Sequence, residues 1–447
     1  MSDFLRLPFK FLQRCRNYTR RVLSRIARAM GAICCLPCCP RRNNRTEVGA
    51  VDSLQVYTTA SFSESHVAET SSGRLLIFAN PNSGAGKSVA VFRERLKPEL
   101  VKNNISYELI VTTHPQHALA VIKQREDLHE FHAIVILSGD GLVFEVINGL
   151  VGRPDRERFF PHLPIGIVPS GSGNGLLSSV FFTKSHPLKG PKSLKQSLES
   201  VSQVNANASC VNLTHVETDN EEHLLSFLSV GWALMADIDI ESERWRRPLG
   251  GARFTAGAFI RCFNLRKYRA RLSYLPASNV SCSSVSQRSF PVFERELGAG
   301  TSKMLTESES KPNFKKYHLN DRIPKLSDSV PHNWVTIEDE FVLFYAVSVS
   351  HISANGMFMP AARLNDDKLY LTYILATDMS RSVELLNFLL KIEKGTHLNS
   401  SYCNTVPVSS FRLEPIDEGS FITVDGEVVK TSRIQATATL LQTAVIA

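Results

Sequence analysis

The sequence predicts an α/β protein in which a parallel-sheet domain precedes a second, mostly antiparallel β domain. Between residues 74 and 169, short apolar runs that end in Gly, Ser or Asn turns alternate with segments of helical periodicity. Strands that are apolar on both faces and alternate with helices indicate a parallel sheet with crossover helices. After about residue 208, strand-length segments follow one another with few helical patterns between them, which favours antiparallel pairing.

The first domain is assigned to residues 73–207. Four apolar runs of strand length and three segments of helical periodicity support the assignment. The strands are RLLIFA (74–79), YELIVT (107–112), AIVILS (133–138) and PIGIVP (164–169), and the helices are VAVFRERLKPELVKN, HALAVIKQREDLHEF and GLVFEVINGL.

The second domain is assigned to residues 208–447, with helical patterns only at FTAGAFIRCFNL and SRSVELLNFLLKIEKG. Residues 278–332 are rich in Ser, Lys and Glu and carry little apolar pattern. We interpret them as a mobile insertion between two strands. The predicted strands are SCVNLTHVET, HLLSFLSVGWA, RARLSYL, WVTIEDEFVLFYAVSVS, KLYLTYIL, SFRLEP and SFITVDGEVV.

The first 46 residues form a basic arm, and residues 47–72 are interpreted as a flexible linker. The arm holds eleven Lys and Arg residues against one acid, in a chain whose total net charge is +8. Its Phe, Leu and Ile residues alternate with arginine at near-helical spacing, which is typical of a segment that lies on an anionic membrane surface. A disordered basic tail and an organellar targeting sequence are the alternatives. Four paired cysteines are candidates for reversible S-acylation: Cys34, Cys35, Cys38 and Cys39.

Composition also limits the cellular compartments and the binding partners that we expect. No run approaches the ~20 apolar residues that a bilayer span needs, and arginines interrupt the apolar residues of the arm, so that no secretory signal forms. Outside the arm the charge is close to neutral, which excludes a nucleic-acid-binding body. We therefore expect a cytoplasmic protein that also associates peripherally with the cytosolic face of the plasma membrane or of endomembranes. The oligomeric state is left open, with a homodimer among the alternatives.

Three glycine turns follow predicted strands of the first domain: NPNSGAGKS (80–88), SGDG (138–141) and PSGSGNG (169–175). In an open α/β sheet, loops at the carboxyl ends of strands line the ligand crevice, and glycines let the backbone approach a phosphate. The first turn is not a Walker A loop, because Pro81 stands where that motif needs glycine. A single glycine turn of this kind often has no role beyond connecting a strand to a helix, but three of them in one sheet predict a phosphate-binding site.

Asp140 lies between two glycines, at a strand end and before a predicted helix. The helix N-terminus favours the charged form of its carboxylate. It would then deprotonate or order an attacking hydroxyl, or engage a metal-bound phosphate. The alternative is a plain turn-forming aspartate.

Two acidic motifs occur in the second domain. Asp237, Asp239, Glu241 and Glu243 recur at every second residue, which on a strand would place all four on one face. Their functional interpretation is one acid turned towards a ligand, and the alternative is a solvated strand face or helix start. The second motif is VDGE (424–427), which is either a plain hairpin turn or a carboxylate pair that binds Mg²⁺. No His/Cys cluster has zinc spacing.

In this order and spacing, SGDGLVFEVINGL, VPSGSGN and VDGE resemble the diacylglycerol-kinase-like lipid kinases. GWALMADIDIESERWRRPLGGARF (231–254), LRKYRARLSYLP, EKGTHLNSSY and FRLEP resemble the sphingosine kinase branch of that superfamily. The resemblance covers residues 73–275 and 332–435 and implies a nucleotide-binding domain, a β-sandwich lipid domain and a site in the cleft between them. Ser83, Ala85 and Pro248 depart from the family pattern, and Pro248 makes the register of Arg253 less certain.

The resemblance also implies the roles of individual residues. Asp140 matches the catalytic base, Asp239 matches the acid that holds the lipid head group, and Ser229, Leu234 and Met235 are further lipid-site residues. Asp425 and Glu427 match an acidic pair on the nucleotide and metal side. The positions around ATP are Asn80, Pro81, Asn82, Lys87, Thr112, Ser138, Gly139, Gly141, Glu145, Gly171, Ser172, Gly173, Arg246, Arg253, Asp425, Gly426 and Glu427.

The expected activity is therefore ATP- and Mg²⁺-dependent phosphorylation of the primary hydroxyl of sphingosine or a related sphingoid base. Phe263 and Phe358 are also expected near the lipid tail. The alternatives are a diacylglycerol kinase, a ceramide kinase, an NAD kinase, or an inactive relative that binds lipid as a membrane-recruited scaffold.

Overall fold

The computed structural model describes most of the chain beyond the linker, and residues 61–447 form one compact unit. The predicted arm, most of the predicted linker and all four candidate acylation cysteines lie outside the described residues. Within the part that is described, no helix is both long and apolar enough to cross a bilayer. The described ranges are 63–68, 73–171, 173–185, 188–245, 249, 252–277, 289–291, 313–379 and 382–447.

The predicted fold class is confirmed, because parallel strands in the first half are followed by antiparallel strands in the second. The four predicted strands of the first domain form within one residue of their expected ends. The strands are β1 (Ser63–His66), β2 (Arg74–Ala79), β3 (Ser106–Val111), β4 (Ala133–Ser138), β5 (Ile165–Pro169), β6 (Asn207–Thr218), β7 (His223–Ser226), β8 (Ser229–Ala233), β9 (Tyr268–Pro276), β10 (Ser289–Pro291), β11 (Val335–Val347), β12 (His351–Ser353), β13 (Gly356–Met357), β14 (Leu369–Leu375), β15 (Asn404–Pro415), β16 (Ile422–Val424), β17 (Glu427–Val429) and β18 (Ile434–Ile446).

The first helices along the chain connect the parallel strands, two further helices lead from β5 to β6, and the helix after β8 lies beside β8 and β11. The α-helices are α1 (Ser88–Val91), α2 (Lys97–Lys102), α3 (His117–Gln124), α4 (Asp140–Val151), α5 (Gly175–Thr183), α6 (Pro191–Val201), α7 (Leu234–Ser242), α8 (Ala252–Phe263) and α9 (Ser382–Lys391). A π-helical segment, Phe92–Leu96, joins α1 to α2.

One sheet runs through both halves in the order β1-β3-β2-β4-β5-β18-β15-β14-β11-β8-β16-β17. Strands β2 to β5 pair in parallel, and side chains from both of their faces are buried. Leu76 and Phe78 enter one apolar cluster, while Leu75 and Ile77 enter another on the opposite face. This two-sided burial explains the continuous apolar runs in the sequence.

The antiparallel strands close around a third apolar cluster. β9 pairs with the first half of β11 and the second half of β15, while β14 pairs with the remaining halves. Trp232, Phe344 and Phe411 are fully buried inside the enclosure. The cluster holds β8 and its neighbour β16 in place, and β16 leads into the acidic turn described below.

Four expectations about local structure are corrected. HLLSFLSVGWA forms two strands instead of one, because the backbone between β7 and β8 turns around a buried carboxylate. Asp237, Asp239 and Glu241 lie on α7, a helix, and Glu243 lies in the 3-10 turn that follows it, so none of the alternating acids is on a strand. Strand β18 was not predicted, because its sequence, IQATATLLQTAVI, mixes Thr and Gln with small apolar residues. The fourth correction concerns the predicted insertion.

The last part of the predicted mobile insertion is ordered and packed. Phe314 is buried in the core of the first half. The buried guanidinium of Arg412 donates to the carbonyl oxygens of Asp328 and Lys325 at 2.6 and 2.8 Å. The polar composition of this segment predicts mobility, but the buried side chains of Phe314, Ile323 and Leu326 and the contacts with Arg412 hold residues 313–332 on the fold. Residues 278–288 and 292–312 lie outside the described ranges.

Candidate active site

The three glycine turns meet at the carboxyl end of the parallel strands, with backbone packed against backbone. A Cβ atom placed on Gly84 would lie 2.3 Å from the carbonyl oxygen of Ser170, which joins the first turn to the third. A Cβ atom on Gly171 would lie 2.6 Å from the Cα of Gly139, which joins the third turn to the second. Such distances exclude any side chain, so the glycines are required by close approach. The turns predicted to act together do lie together.

Side-chain contacts fix the first turn against the second. The hydroxyl of Ser138 donates to the Oγ of Ser83 at 3.0 Å. The Oδ1 of Asn80 accepts the N–H of Asn82 at 2.9 Å, and Ser88 donates to the carbonyl oxygen of Asn80 at 2.6 Å. Asn80 therefore shapes the turn, while Lys87, next to the start of α1, is exposed.

Asp140 occupies the first position of α4 and reaches across to the start of α5. Its two carboxylate oxygens accept the backbone N–H groups of Gly175 at 2.7 Å and of Leu176 at 3.3 Å. The residue is 8% exposed. Burial raises the pKa of Asp140 to about 6, and the two N–H donors act against that rise. A carboxylate with such a pKa accepts a proton more readily than an ordinary aspartate does.

Two other residues predicted near ATP have structural contacts of their own. The Oε2 of Glu145 accepts the N–H of Ala118 at 3.1 Å, so its carboxylate holds the N-terminus of α3. Burial raises the pKa of Glu145, and the backbone donors of that helix start lower it. Thr112 is buried after β3, where its N–H donates to the carbonyl oxygen of Ala79 at 2.9 Å.

The predicted acidic pair, Asp425 and Glu427, is divided by the fold. Asp425 is 3% exposed and accepts hydrogen bonds from four donors at the turn between β7 and β8. Burial raises its pKa to about 7, against the effect of those donors. Glu427 is exposed. The donors to Asp425 are the hydroxyl of Ser226 at 2.6 Å and the N–H groups of Phe227, Leu228 and Ser229 at 3.1, 3.0 and 2.9 Å.

Asp425 therefore anchors a turn, and its predicted role as one of a pair of metal ligands stays a prediction. It has a φ of 51°, and together with Gly426 it forms the tight turn between β16 and β17. Within the described ranges, no three His, Cys, Asp or Glu side chains are grouped to hold a metal ion.

The same turn lies beside both predicted functional acids. A Cβ atom on Gly426 would lie 3.0 Å from the Oδ2 of Asp239. A Cβ atom on Gly141, next to Asp140, would lie 2.5 Å from the Oε1 of Glu427. The hairpin between β16 and β17 therefore brings the start of α4 and the acid of α7 to one place.

Arg253 holds Asp239, and its predicted contact with a phosphate stays a prediction. The guanidinium is 3% exposed and donates to the Oδ1 of Asp239 at 3.0 Å and to its carbonyl oxygen at 2.8 Å. It also contacts Ser242 and Glu243. Burial raises the pKa of Asp239 to about 6, while Arg253 lowers it. Asp239 keeps part of its side chain exposed, so a ligand can reach it.

The other two acids of α7 have structural contacts. Asp237 is buried and accepts a hydrogen bond from the hydroxyl of Tyr268 at 2.9 Å. Glu241 forms an ion pair with the buried Arg261. Both carboxylates bind α7 to its neighbours.

Ser229 and Tyr345 form a hydroxyl pair beside these acids. The Oγ of Ser229 lies 2.9 Å from the phenolic oxygen of Tyr345. Asp239, Asp425 and Asp140 each raise the pKa of Tyr345, although burial is the larger cause. Sequence reasoning had missed Tyr345, since it occurs in the strand text FVLFYAV with nothing to separate it from core residues.

An apolar cluster borders the hydroxyl pair. It contains Leu234 and Phe358, with Met235 and Tyr345 packed at its edge. Leu234, Met235 and Phe358, all predicted near the lipid tail, therefore lie in or beside one apolar cluster. Ser172 and Arg246, both predicted near ATP, lie outside the described residues, as does the side chain of Phe263.

The sequence and the structure were compared with known proteins. Residues 74–224 match the family model described as the diacylglycerol kinase catalytic domain. The chain is 44% identical to sphingosine kinase 1 of Caenorhabditis elegans, with 82% of this chain and 80% of that protein covered. It is 34% identical to sphingosine kinase 1 of Homo sapiens, with 81% and 88% covered.

A solved structure from Bacillus anthracis, described as a putative diacylglycerol kinase, matches with a TM-score of 0.51 at 16% identity, covering 83% of this chain and 96% of that one. At that identity the likeness supports the fold alone. The sequence relatives decide the family: the chain belongs to the sphingosine kinases, a family of ATP-dependent lipid kinases.

Proposed function

We propose that this chain transfers the γ-phosphoryl group of ATP to the primary hydroxyl of a sphingoid base such as sphingosine, with Asp140 as the general base. The observation that supports this most strongly is the position of Asp140. Its carboxylate lies where the three glycine turns meet, and the hairpin that contacts Asp239 also reaches the start of its helix.

This step transfers a proton from the lipid to Asp140 and a phosphoryl group from ATP to the lipid. Asp140 accepts the proton of the lipid's primary hydroxyl as that oxygen bonds to phosphorus, and the bond from phosphorus to the bridging oxygen of ADP breaks. A pKa of about 6 leaves the carboxylate mostly ionised near neutral pH, which a general base requires.

The glycine turns are the proposed ATP site. Because their glycines carry no side chain, a phosphate can approach the backbone N–H groups of the turns; the N–H groups of Gly175 and Leu176 are not among them, since they donate to Asp140. Phosphate oxygens would be held by the N–H groups of the turns and by Lys87. Alignment and charge stabilisation are most of what phosphoryl transfer needs from a protein.

Asp239 is the proposed partner of the lipid's ammonium group. Arg253 fixes one of its carboxylate oxygens at 3.0 Å, while part of the side chain stays accessible. An acid in this position favours an amine-bearing lipid over a neutral diacylglycerol or ceramide, because a neutral head group leaves the charge unpaired. The apolar cluster around Leu234 and Phe358 would hold the hydrocarbon tail.

Mg²⁺ is proposed as the metal that accompanies ATP, where it would neutralise phosphate charge. It binds proteins through one or two carboxylates and keeps several waters. The exposed Glu427, beside Gly141 and the start of α4, meets that need. Asp425 does not, because its oxygens already accept four hydrogen bonds.

The basic arm is proposed to bring the enzyme from the cytoplasm to anionic membranes. The support is the sequence alone: eleven basic residues within the first 46, with neighbouring cysteines that could be acylated. Removing residues 1–46 should release the protein from vesicles containing phosphatidylserine and leave its activity on detergent-dispersed lipid intact. Unchanged vesicle binding would contradict this role.

The proposed reaction is tested by incubating the protein with ATP, Mg²⁺ and, separately, sphingosine, ceramide and diacylglycerol. We expect phosphorylation of sphingosine, and a loss of about 10²- to 10⁴-fold in kcat for Asp140→Asn, the range for removal of a general base. ATP binding and the melting temperature report whether the variant is folded.

Asp321→Asn removes an exposed carboxylate as a matched control and should keep full activity. Near-normal turnover by Asp140→Asn would exclude Asp140 as the base. Preference for ceramide or diacylglycerol would exclude the sphingoid base as substrate.

A further inference from the structure

We infer that Tyr345 is a specificity-determining residue, whose hydroxyl group, paired with that of Ser229, binds a secondary hydroxyl on the chain of the lipid substrate. The inference rests on the sphingoid-base kinase function proposed above. It adds a group that neither the motifs nor the family comparison had drawn attention to.

Tyr345 lies at the junction between the polar site and the apolar cluster. Its ring packs edge-on against Phe358, with ring centroids 5.1 Å apart. On its other side the ring approaches β8, where a Cβ atom on Gly231 would lie 2.9 Å from the ring. Glycine at that position makes room for the aromatic ring. Part of Tyr345 remains accessible, so a ligand can reach it.

The hydrogen-bond inventory leaves one proton of the pair unused. Two hydroxyl groups carry two protons, and the 2.9 Å bond between Ser229 and Tyr345 uses one of them, whichever group donates. Among the described residues, neither hydroxyl forms another hydrogen bond. A hydroxyl proton in so enclosed a place is normally satisfied, so the pair is ready to donate to an oxygen that a ligand brings.

The surrounding charges keep the phenol in its donor form. Burial, and then the carboxylates of Asp239, Asp425 and Asp140, raise the pKa of Tyr345. An ionised tyrosine would place another negative charge beside three acids. Tyr345 therefore remains a neutral hydroxyl over the range in which the enzyme works.

The chemistry of a sphingoid base supplies the matching acceptor. Its head carries a primary hydroxyl, then an ammonium group, then a secondary hydroxyl where the hydrocarbon chain begins. Asp140 and Asp239 take the first two groups in the proposed function. A donor at the edge of the apolar cluster is placed for the third group, at the start of the tail.

The test compares two lipids on one enzyme preparation: sphinganine, and its analogue in which hydrogen replaces the secondary hydroxyl. For Tyr345→Phe, which keeps the ring and removes the hydroxyl, we expect kcat/KM for sphinganine to fall about 5- to 10-fold, the effect of one lost hydrogen bond. The value for the deoxy analogue should change less than about 2-fold.

Because the result is a ratio of two lipids, it does not depend on the fraction of variant that is folded. Tyr107→Phe is the matched control, since it removes a phenolic hydroxyl that contacts Glu64 in the other half of the sheet. It should leave the ratio unchanged.

An equal loss on both lipids, or no loss on either, would overturn the inference. These outcomes are distinct from failure of the proposed function. If that function were wrong, the unmodified enzyme would phosphorylate neither amino alcohol, or Asp140→Asn would retain activity on both.

Discussion

The two halves of the sheet position their functional groups by different means. In the parallel half, the glycine turns come together because parallel strands end at one edge, and the groups offered to a ligand are largely backbone N–H groups. In the antiparallel half, each acid is held by groups from another segment: Asp239 by the guanidinium of Arg253, and Asp425 by the hydroxyl of Ser226 and three backbone N–H groups between β7 and β8.

Substitutions in the two halves are therefore expected to have different effects. A substitution at a glycine turn of the parallel half is expected to disturb ATP use directly, because close backbone contacts form most of the proposed ATP site. In the antiparallel half, a substitution of similar size should first affect stability or lipid affinity, because it acts on the groups that hold the acids in place.

The largest effect expected from this contrast is that of Gly171→Ala. A Cβ atom there would lie 2.6 Å from the backbone of Gly139, so one of two glycine turns must move. We expect kcat/KM for ATP to fall about 100-fold, as displacements near 1 Å can cause. Steady-state kinetics against ATP give the measurement.

Gly152→Ala, at the end of α4, is the control for that variant. A Cβ atom there would meet only the flexible side chain of Lys123 at 3.3 Å among the nearest contacts outside α4. If both alanine variants kept normal ATP kinetics, the glycine turns would not be the nucleotide site.

Asp425→Asn should act on stability instead. The amide would place a donor against the N–H of Phe227, while asparagine tolerates the positive φ of 51°. At pH 8 we expect the free energy of unfolding to fall by about 2 kcal/mol, with KM for ATP unchanged. Urea denaturation measures the first quantity. A large change in the Mg²⁺ requirement without loss of stability would restore Asp425 as a metal ligand.

The pH dependence of kcat tests the role of Asp140 in the parallel half. Its raised pKa means that the carboxyl group is protonated, and inactive as a base, below about pH 6. At saturating lipid, kcat should therefore rise about tenfold between pH 5 and pH 7, and level off above. A kcat that stays constant over this interval would show that another group accepts the proton.

Arg253→Lys should give the smallest change. A lysine ammonium cannot hold the carboxylate and the carbonyl oxygen of Asp239 together as the guanidinium does. We expect KM for sphingosine to rise about fivefold while kcat for saturating lipid changes little. Arg271→Lys, at an exposed pair with Glu338, is the control. Equal changes in both variants would remove the special role of Arg253.

The sequence was most informative where burial on two faces leaves a continuous apolar run. The strands at 74–79 and 133–138 have the predicted ends, and Asp140 follows the second of them as expected. Because parallel strands end at one edge of the sheet, the three glycine turns that follow them lie together. The order of strands and turns in the sequence was enough to predict this, although the contacts between the turns were not known.

Contacts between distant segments limited the prediction elsewhere. Alternating acids on 237–243 suggested a strand, but packing of Leu234 and Ile238 into one apolar cluster holds them in a helix. Asp425 and Glu427 are neighbours in sequence, yet the turn directs one into the interior and leaves the other exposed. Tyr345 has no local signal, because its partners are 116 residues away at Ser229 and in the acids around it.

Strand β18 carries a consequence for how the chain is built during synthesis. Its residues Val445 and Ile446 pair with β5, although more than 260 residues separate the two strands along the chain. Until the ribosome has released this segment, the edge of the ATP-binding sheet lacks its neighbour and is open to wrong partners. Completion of the parallel part of the sheet therefore waits until β18 has been made.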